Sequence, residues 1–154
     1  MKKVVYQGIS EIEIKAKPDQ VWAILEDSAC LSQWAPMVKS TTGKTERVGS
    51  VRSCEVEWEG RKDHVVERCI EVIPNKKITW EMEQGMMTKM FSKIQFGFTL
   101  APKDGDMTRL RLEFLYEPRN ILARFIYALM MRRKLEGLRQ SLLGNLKCLI
   151  EKGQ

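Results

Sequence analysis

At 154 residues, 44% hydrophobic and 30% charged, the chain has the composition of an ordinary globular protein and the length to bury a sizeable core, expected as one domain over residues 1–154. No run of about 18 apolar residues occurs, which excludes a membrane-spanning helix; Ile121–Met131 comes nearest, and Arg124 interrupts it. The net charge of +6 resides wholly in residues 119–152, where eight Lys/Arg stand against Glu136 and Glu151, while residues 1–118 balance at 18 against 18.

The amino terminus has the basic start of a signal peptide but lacks the apolar run, and it alternates instead. Val4–Ala16 places Tyr6, Ile12 and Ile14 on one face and Glu11, Glu13 and Lys15 on the other, the pattern of a half-buried strand. Pro18 opens a short helix over PDQVWAILED, with Asp19 near its positive end. Ser28 is expected to cap a second one, SACLSQW, which stops before Pro36.

Strands and turns then follow at about ten-residue spacing. Met37–Arg47 precedes a turn at Val48-Gly49. Val51–Glu59 alternates Cys54, Val56 and Trp58 against Ser53, Glu55 and Glu57. Arg61–Ile73 puts Val66, Ile70 and Val72 on one face together with His64 and Arg68. Lys77–Gln84 alternates Ile78, Trp80 and Met82 against Thr79, Glu81 and Glu83. Met90–Leu100 carries Ile94, Phe96, Phe98 and Leu100 on one side, and Thr108–Tyr116 carries Leu110, Leu112, Phe114 and Tyr116. Such in/out alternation belongs to an antiparallel sheet with one wet face.

From Arg119 to Lys152 the period changes to that of a helix. Met131, Leu135, Leu138, Leu142, Leu146 and Leu149 form one stripe; Leu122, Phe125, Ile126 and Leu129 form another, displaced by roughly 140°. A straight helix cannot bury both on one surface, so a break is expected near Met130–Lys134. The fold class is therefore α+β: about seven antiparallel strands curved around a long C-terminal helix, with two short helices after the first strand. A sheet that curls around a helix tends to leave a gap between them.

The segments Ile12–Ala16, Pro18–Trp22 with Leu25, Trp34-Ala35-Pro36, Ile73–Trp80 and Leu142–Glu151, taken in this order of elements, carry a likeness. The chain resembles the polyketide cyclase/dehydrase branch of the START-like (Bet v 1-like) superfamily, which has the helix-grip fold. The resemblance covers nearly the whole chain. It implies a deep apolar cavity between the last helix and the concave sheet face. Members of the superfamily bind lipids, sterols, polyketides, plant hormones or quinones, and a minority catalyse cyclisation. No cofactor is implied.

Candidate cavity residues are Trp34, Cys54, Val56, Trp58, Val66, Arg68, Trp80, Met82, Phe96, Phe98, Leu112, Phe114, Leu138, Leu142 and Asn145. The inward aromatics serve equally as ordinary core, and Trp34 either rims the cavity or packs the helices. Arg68, if inside, needs an anionic partner; a locally shifted strand phase would leave it in water instead. Asn145 interrupts the leucine stripe, either to fix the helix or to hydrogen-bond a ligand. Met86, Met87 and Met90 surround one turn, where flexible thioethers suit a gate.

No catalytic constellation emerges. His64, the one histidine, sits beside Arg61-Lys62-Asp63 with no orienting carboxylate, and the carboxylates fall at solvent-facing strand positions. There is no phosphate loop and no nucleophile elbow. The four cysteines are widely spaced, so a zinc site is not expected; they read as reduced, mostly buried thiols of a cytoplasmic protein. Arg124, Arg132, Arg133 and Lys134 lie beside the apolar Ile121–Met131 stretch, which suits peripheral contact with an anionic membrane. Nucleic acid fits less well, because the aromatics that would stack on bases point inward. A merely solvated basic face remains the plain alternative. The expected function is to hold a hydrophobic small molecule, with a cyclase/dehydratase or a membrane lipid or quinone carrier as rivals.

Overall fold

The computed structural model describes residues 3–43 and 47–153. The strands are β1 (Tyr6–Ile14), β2 (Val38–Gly43), β3 (Val51–Trp58), β4 (Arg61–Ile73), β5 (Lys77–Gln84), β6 (Phe91–Lys103) and β7 (Met107–Pro118). They form one antiparallel sheet in the order β1-β7-β6-β5-β4-β3-β2, so the chain meanders from β2 to β7 and β1 closes the far edge. Positions 44–46 of the strand expected over Met37–Arg47 lie outside the described residues. Glu59 and Gly60, with φ of 53° and 78°, turn β3 into β4 with the paired positive φ that tight hairpins require.

Helices α1 (Pro18–Glu26) and α2 (Leu31–Trp34) follow β1, joined by a 3-10 turn at Ser28–Cys30. Lys17 N donates to the Gln20 side chain at 3.0 Å, closing the start of α1. The expected Ser28 cap is corrected: Asp27 caps this turn, accepting from Ala29 N at 3.0 Å, while Ser28 is buried. A carboxylate one residue earlier does the same job with a full charge.

The C-terminal segment is α3 (Ile121–Ile126), a π turn at Tyr127–Met131 and α4 (Arg132–Lys152). The break overlaps the expected Met130–Lys134 but starts earlier. A π turn carries an extra residue and rotates the helix beyond it, which is how the chain changes the phase of its apolar stripe. Asn120 caps α3 by accepting from Ala123 N at 2.8 Å. Along α4, Leu135, Leu142, Leu143, Leu146 and Ile150 are buried together with Arg139. Along α3 only Ala123 is buried, followed by Tyr127, whose ring stacks on Tyr6 at 4.3 Å. Of the stripe expected from Leu122, Phe125, Ile126 and Leu129, Ile126 is half-buried and the other three stand in solvent.

Helix α4 packs chiefly on β1, at one edge of the curved sheet. Arg139 marks the contact: its Nε donates to Ser10 Oγ at 3.1 Å, and its guanidinium lies 5.3 Å over Phe114. Gly8 makes the room, since a Cβ there would stand 2.1 Å from Arg139 Nη1. Lys147 Nζ donates to Glu13 O at 2.6 Å, and Glu151 accepts from Lys15 N at 2.9 Å. Among the described residues β3, β4 and β5 make no comparable contact with an α-helix.

The candidate functional site

Between α4, α2 and the concave face of the sheet lies a cavity of about 550 Å³. Leu31 and Trp34 of α2 close one end, Leu135, Leu138 and Leu142 of α4 form the roof, and Phe96, Phe98, Leu112, Phe114 and Tyr116 form the floor. Arg52, Cys54, Val56 and Trp58 of β3, with Asp63, Val65 and Glu67 of β4 and Met82 of β5, complete the wall. Met86, Met87, Met130 and Met131 surround the mouth. The sequence alternation that built the strands therefore also built the cavity, because alternate residues over 52–58 of β3, 94–98 of β6 and 112–116 of β7 border it.

Of the candidates, Trp34, Cys54, Val56, Trp58, Met82, Phe96, Phe98, Leu112, Phe114, Leu138 and Leu142 border this space. Trp80 does not: it is fully buried beside it, stacked on Phe96 at 5.6 Å and edge-on to Phe98 at 6.3 Å. Asn145 donates from Nδ2 to Trp34 O at 3.1 Å, tying α4 to the end of α2. Trp34 is buried and edge-on to Phe98 at 5.8 Å, so it packs the helices and borders the cavity at once.

Val66 and Arg68 are corrected. Val65, Glu67 and Cys69 are the buried residues of β4, and Val66 and Arg68 face outward. Arg68 pairs there with Glu83 and donates to Gly49 O at 3.0 Å. The cause is a bulge: in the pairing with β5 the register shifts between Cys69 and Glu71, leaving Ile70 over. A single extra residue reverses the phase, so the parity correct for Val72 is wrong upstream of Ile70. His64, read on the same parity, is on the outer face and pairs with Glu55. The expectation that every carboxylate faces solvent fails with it, since Glu67 is buried.

Glu67 answers Arg52, which is not among the candidates expected from the sequence. Arg52 Nε donates to Glu67 Oε1 at 3.0 Å, and the guanidinium lies 4.2 Å over the Trp80 ring. Cys54 Sγ donates to the same Oε1 at 3.6 Å. Burial, then the Glu67 charge, pushes the Cys54 thiol up to about 11, so it stays protonated at neutral pH. The signal was present: Arg52 shares the parity of Cys54 and Val56, and Val65 and Cys69 flank Glu67 two residues either way.

At the mouth, Asp63 holds the methionine turn. Its Oδ2 accepts from Met86 N at 2.8 Å and its Oδ1 from His64 N at 2.9 Å. Gly85 enters that turn at φ 148°, a backbone state that L side chains rarely adopt. Across the mouth, Lys134 Nζ meets Glu59 at 2.9 Å, joining the first turn of α4 to the β3–β4 hairpin. Arg132 and Arg133 are exposed beside it and Arg124 is half-buried on α3. Ile121, Leu122, Phe125, Leu129 and Met130 are 60–80% exposed on the same segment.

Among the described residues no group of His, Cys, Asp or Glu is placed to hold a metal, and no helix is long and apolar enough to cross a membrane. Cys54 and Cys69 are buried, but Cys148 is exposed and Cys30 half-buried, so the thiols are less uniformly interior than expected.

The family described as polyketide cyclase / dehydrase and lipid transport matches residues 9–151. No curated protein matches the chain significantly. Among solved structures, the chain is similar to a START superfamily protein from Mycobacterium smegmatis, at 18% identity and TM-score 0.74, covering 96% of this chain and 99% of that one. It is similar to the Zhui aromatase/cyclase from Streptomyces sp. R1128, at 17% identity and TM-score 0.71, covering 94% of both. A third is norcoclaurine synthase from Thalictrum flavum, solved with dopamine and hydroxybenzaldehyde, at 14% identity and TM-score 0.74, covering 99% of this chain and 90% of that one. Likenesses this distant speak for the fold.

Proposed function

The chain belongs to the polyketide cyclase / dehydrase and lipid transport family, and from that premise we propose that it holds a hydrophobic small molecule between α4 and the sheet. The observation that carries this reading is the 550 Å³ hollow itself, within the ~300–1,000 Å³ typical of small-molecule sites. Interiors are normally packed to crystal density, so a void of this size is costly unless something fills it. A ligand that hides about 300 Å² of apolar surface gains roughly 7 kcal/mol at ~25 cal/mol per Å², less the cost of association.

Holding is favoured over catalysis by the state of the polar groups that border the cavity. Both Asp63 oxygens are engaged by backbone N–H groups, the Cys54 thiol is protonated, and burial raises the Tyr116 hydroxyl far above its ordinary range. The one histidine is on the other face. Native mass spectrometry of freshly purified protein, before and after solvent extraction, tests the proposal. A mass excess of one small molecule that extraction removes is expected. A protein that is empty as isolated and also takes up no N-phenyl-1-naphthylamine would reject it.

A second feature favours a carrier that exchanges its ligand at an anionic membrane surface. Five large apolar side chains stand in solvent on α3 and the π turn, and from Arg119 to Leu135 the chain has five cations and no acid. That combination suits the headgroup boundary of an anionic bilayer. Met130 belongs both to this exposed face and to the cavity mouth, so a docked bilayer would adjoin the opening.

A further inference from the structure

The cavity is mostly apolar, and a buried ion pair lies on its wall. Arg52 and Glu67, on the adjacent strands β3 and β4, both border it and are only 2% and 5% exposed. Their mutual bond uses one donor of the guanidinium and one oxygen of the carboxylate. The Cys54 thiol adds a second, weaker contact to that same oxygen. Arg52 Nη1, Arg52 Nη2 and Glu67 Oε2 make no hydrogen bond among the described residues. Among the described residues the side-chain N or O atom sealed from water without a partner is Trp34 Nε1, so these three charged atoms still meet the water of the cavity, and an occupant that displaces that water must offer hydrogen bonds in its place.

The charges decide which occupant. Arg52 and Glu67 cancel, so the wall is strongly polar yet neutral. A carboxylate or phosphate brought against it would leave an uncompensated negative charge in an apolar enclosure. A bare hydrocarbon would leave the three atoms unmet. A hydroxyl does neither: its oxygen accepts from an Arg52 Nη group while its proton goes to Glu67 Oε2. The other charged residues bordering the cavity, Glu59, Arg61 and Asp63, stand toward the β3–β4 turn, away from Arg52 and Glu67. Asp63 holds the Met86 turn and Glu59 pairs with Lys134, both at the mouth.

We infer that the cavity is selective for a neutral hydroxylated hydrophobe, a phenol or an apolar alcohol, whose hydroxyl is held between Arg52 and Glu67. This rests on the reading of the cavity as a binding site, and the test separates the two.

Naphthalene, 2-naphthol and 2-naphthoate present one ring system with no polar group, a hydroxyl and a carboxylate. Titration calorimetry should give 2-naphthol an affinity at least tenfold above both others. In Glu67→Gln the guanidinium loses its counter-charge, so 2-naphthoate should gain at least tenfold and overtake 2-naphthol. In Arg52→Met/Glu67→Leu, which leaves no buried charge and guards against misfolding of the single variant, naphthalene and 2-naphthol should bind alike. Equal affinities for naphthalene and 2-naphthol in the unmodified protein, or a preference for 2-naphthoate, overturn the inference and leave the binding reading standing. Failure of all three to bind overturns both.

Discussion

The buried pair and the thiol beside it make separate statements about stability. Removing one partner of Arg52–Glu67 strands the other charge in a site that excludes water, and costs of ~3–5 kcal/mol are usual for such a loss. Replacing both leaves no orphan. Urea titration should therefore find Glu67→Leu and Arg52→Met each far less stable than the double variant. The Cys54 thiol offers a pH test. Its folded value, about 11, lies above the ordinary 9.0, so the folded protein favours the neutral form. The advantage is complete below pH 9 and is lost as pH rises through about 11. Between those limits the unfolding midpoint of the unmodified protein should fall relative to Cys54→Ala. At pH 8 iodoacetamide should modify the exposed Cys148 well before Cys54.

Between elements, the seating of α4 on β1 depends on an absent side chain. Arg139 occupies the volume that a Cβ at Gly8 would need. Gly8→Ala should cost on the order of 2 kcal/mol by displacing the guanidinium from Ser10 and Phe114. In an Arg139→Leu background the same substitution should cost much less, a non-additivity that a double-mutant cycle measures directly. At the far end of α4, the Lys15 N–H, first, and Lys147 hold the Glu151 carboxyl below its usual range. That contribution is present above pH 4.5 and lost as pH falls through the folded value, so Glu151→Gln should narrow the acid-side difference to nothing.

Across the whole molecule, the cavity mouth and the exposed apolar face lie on one continuous segment of chain. The Lys134–Glu59 pair across the mouth is about half exposed on both sides, and pairs of that kind contribute ~0–1 kcal/mol. The first turn of α4 and the β3–β4 hairpin can therefore part cheaply. Phe125→Ser/Leu129→Ser should leave the melting temperature nearly unchanged, because both side chains already meet solvent. If this face meets a bilayer, the variant should lose at least tenfold in co-sedimentation with phosphatidylserine-containing vesicles, and 0.5 M salt should weaken the unmodified protein similarly. Vesicle binding that survives both changes would remove α3 from the account.

The succession of elements, the two short helices, the long terminal helix and most of the cavity wall were legible in the chain itself. Alternation at period two assigns faces wherever a strand is regular, and β3, β6 and β7 are regular over the cavity. What local pattern could not supply was the place where the period slips. At Ile70 one surplus residue turned Glu67 inward and Arg68 outward, and the pairing with β5 locates it. Likewise, periodicity grouped Leu122, Phe125 and Leu129 into an apolar stripe, but no local rule says whether a stripe finds a surface. Leu142 and Leu146 of α4 find one, whereas Leu122, Phe125 and Leu129 face water. Sequence records what each residue would prefer; which preferences are met is settled by the competition of all elements for one concave face.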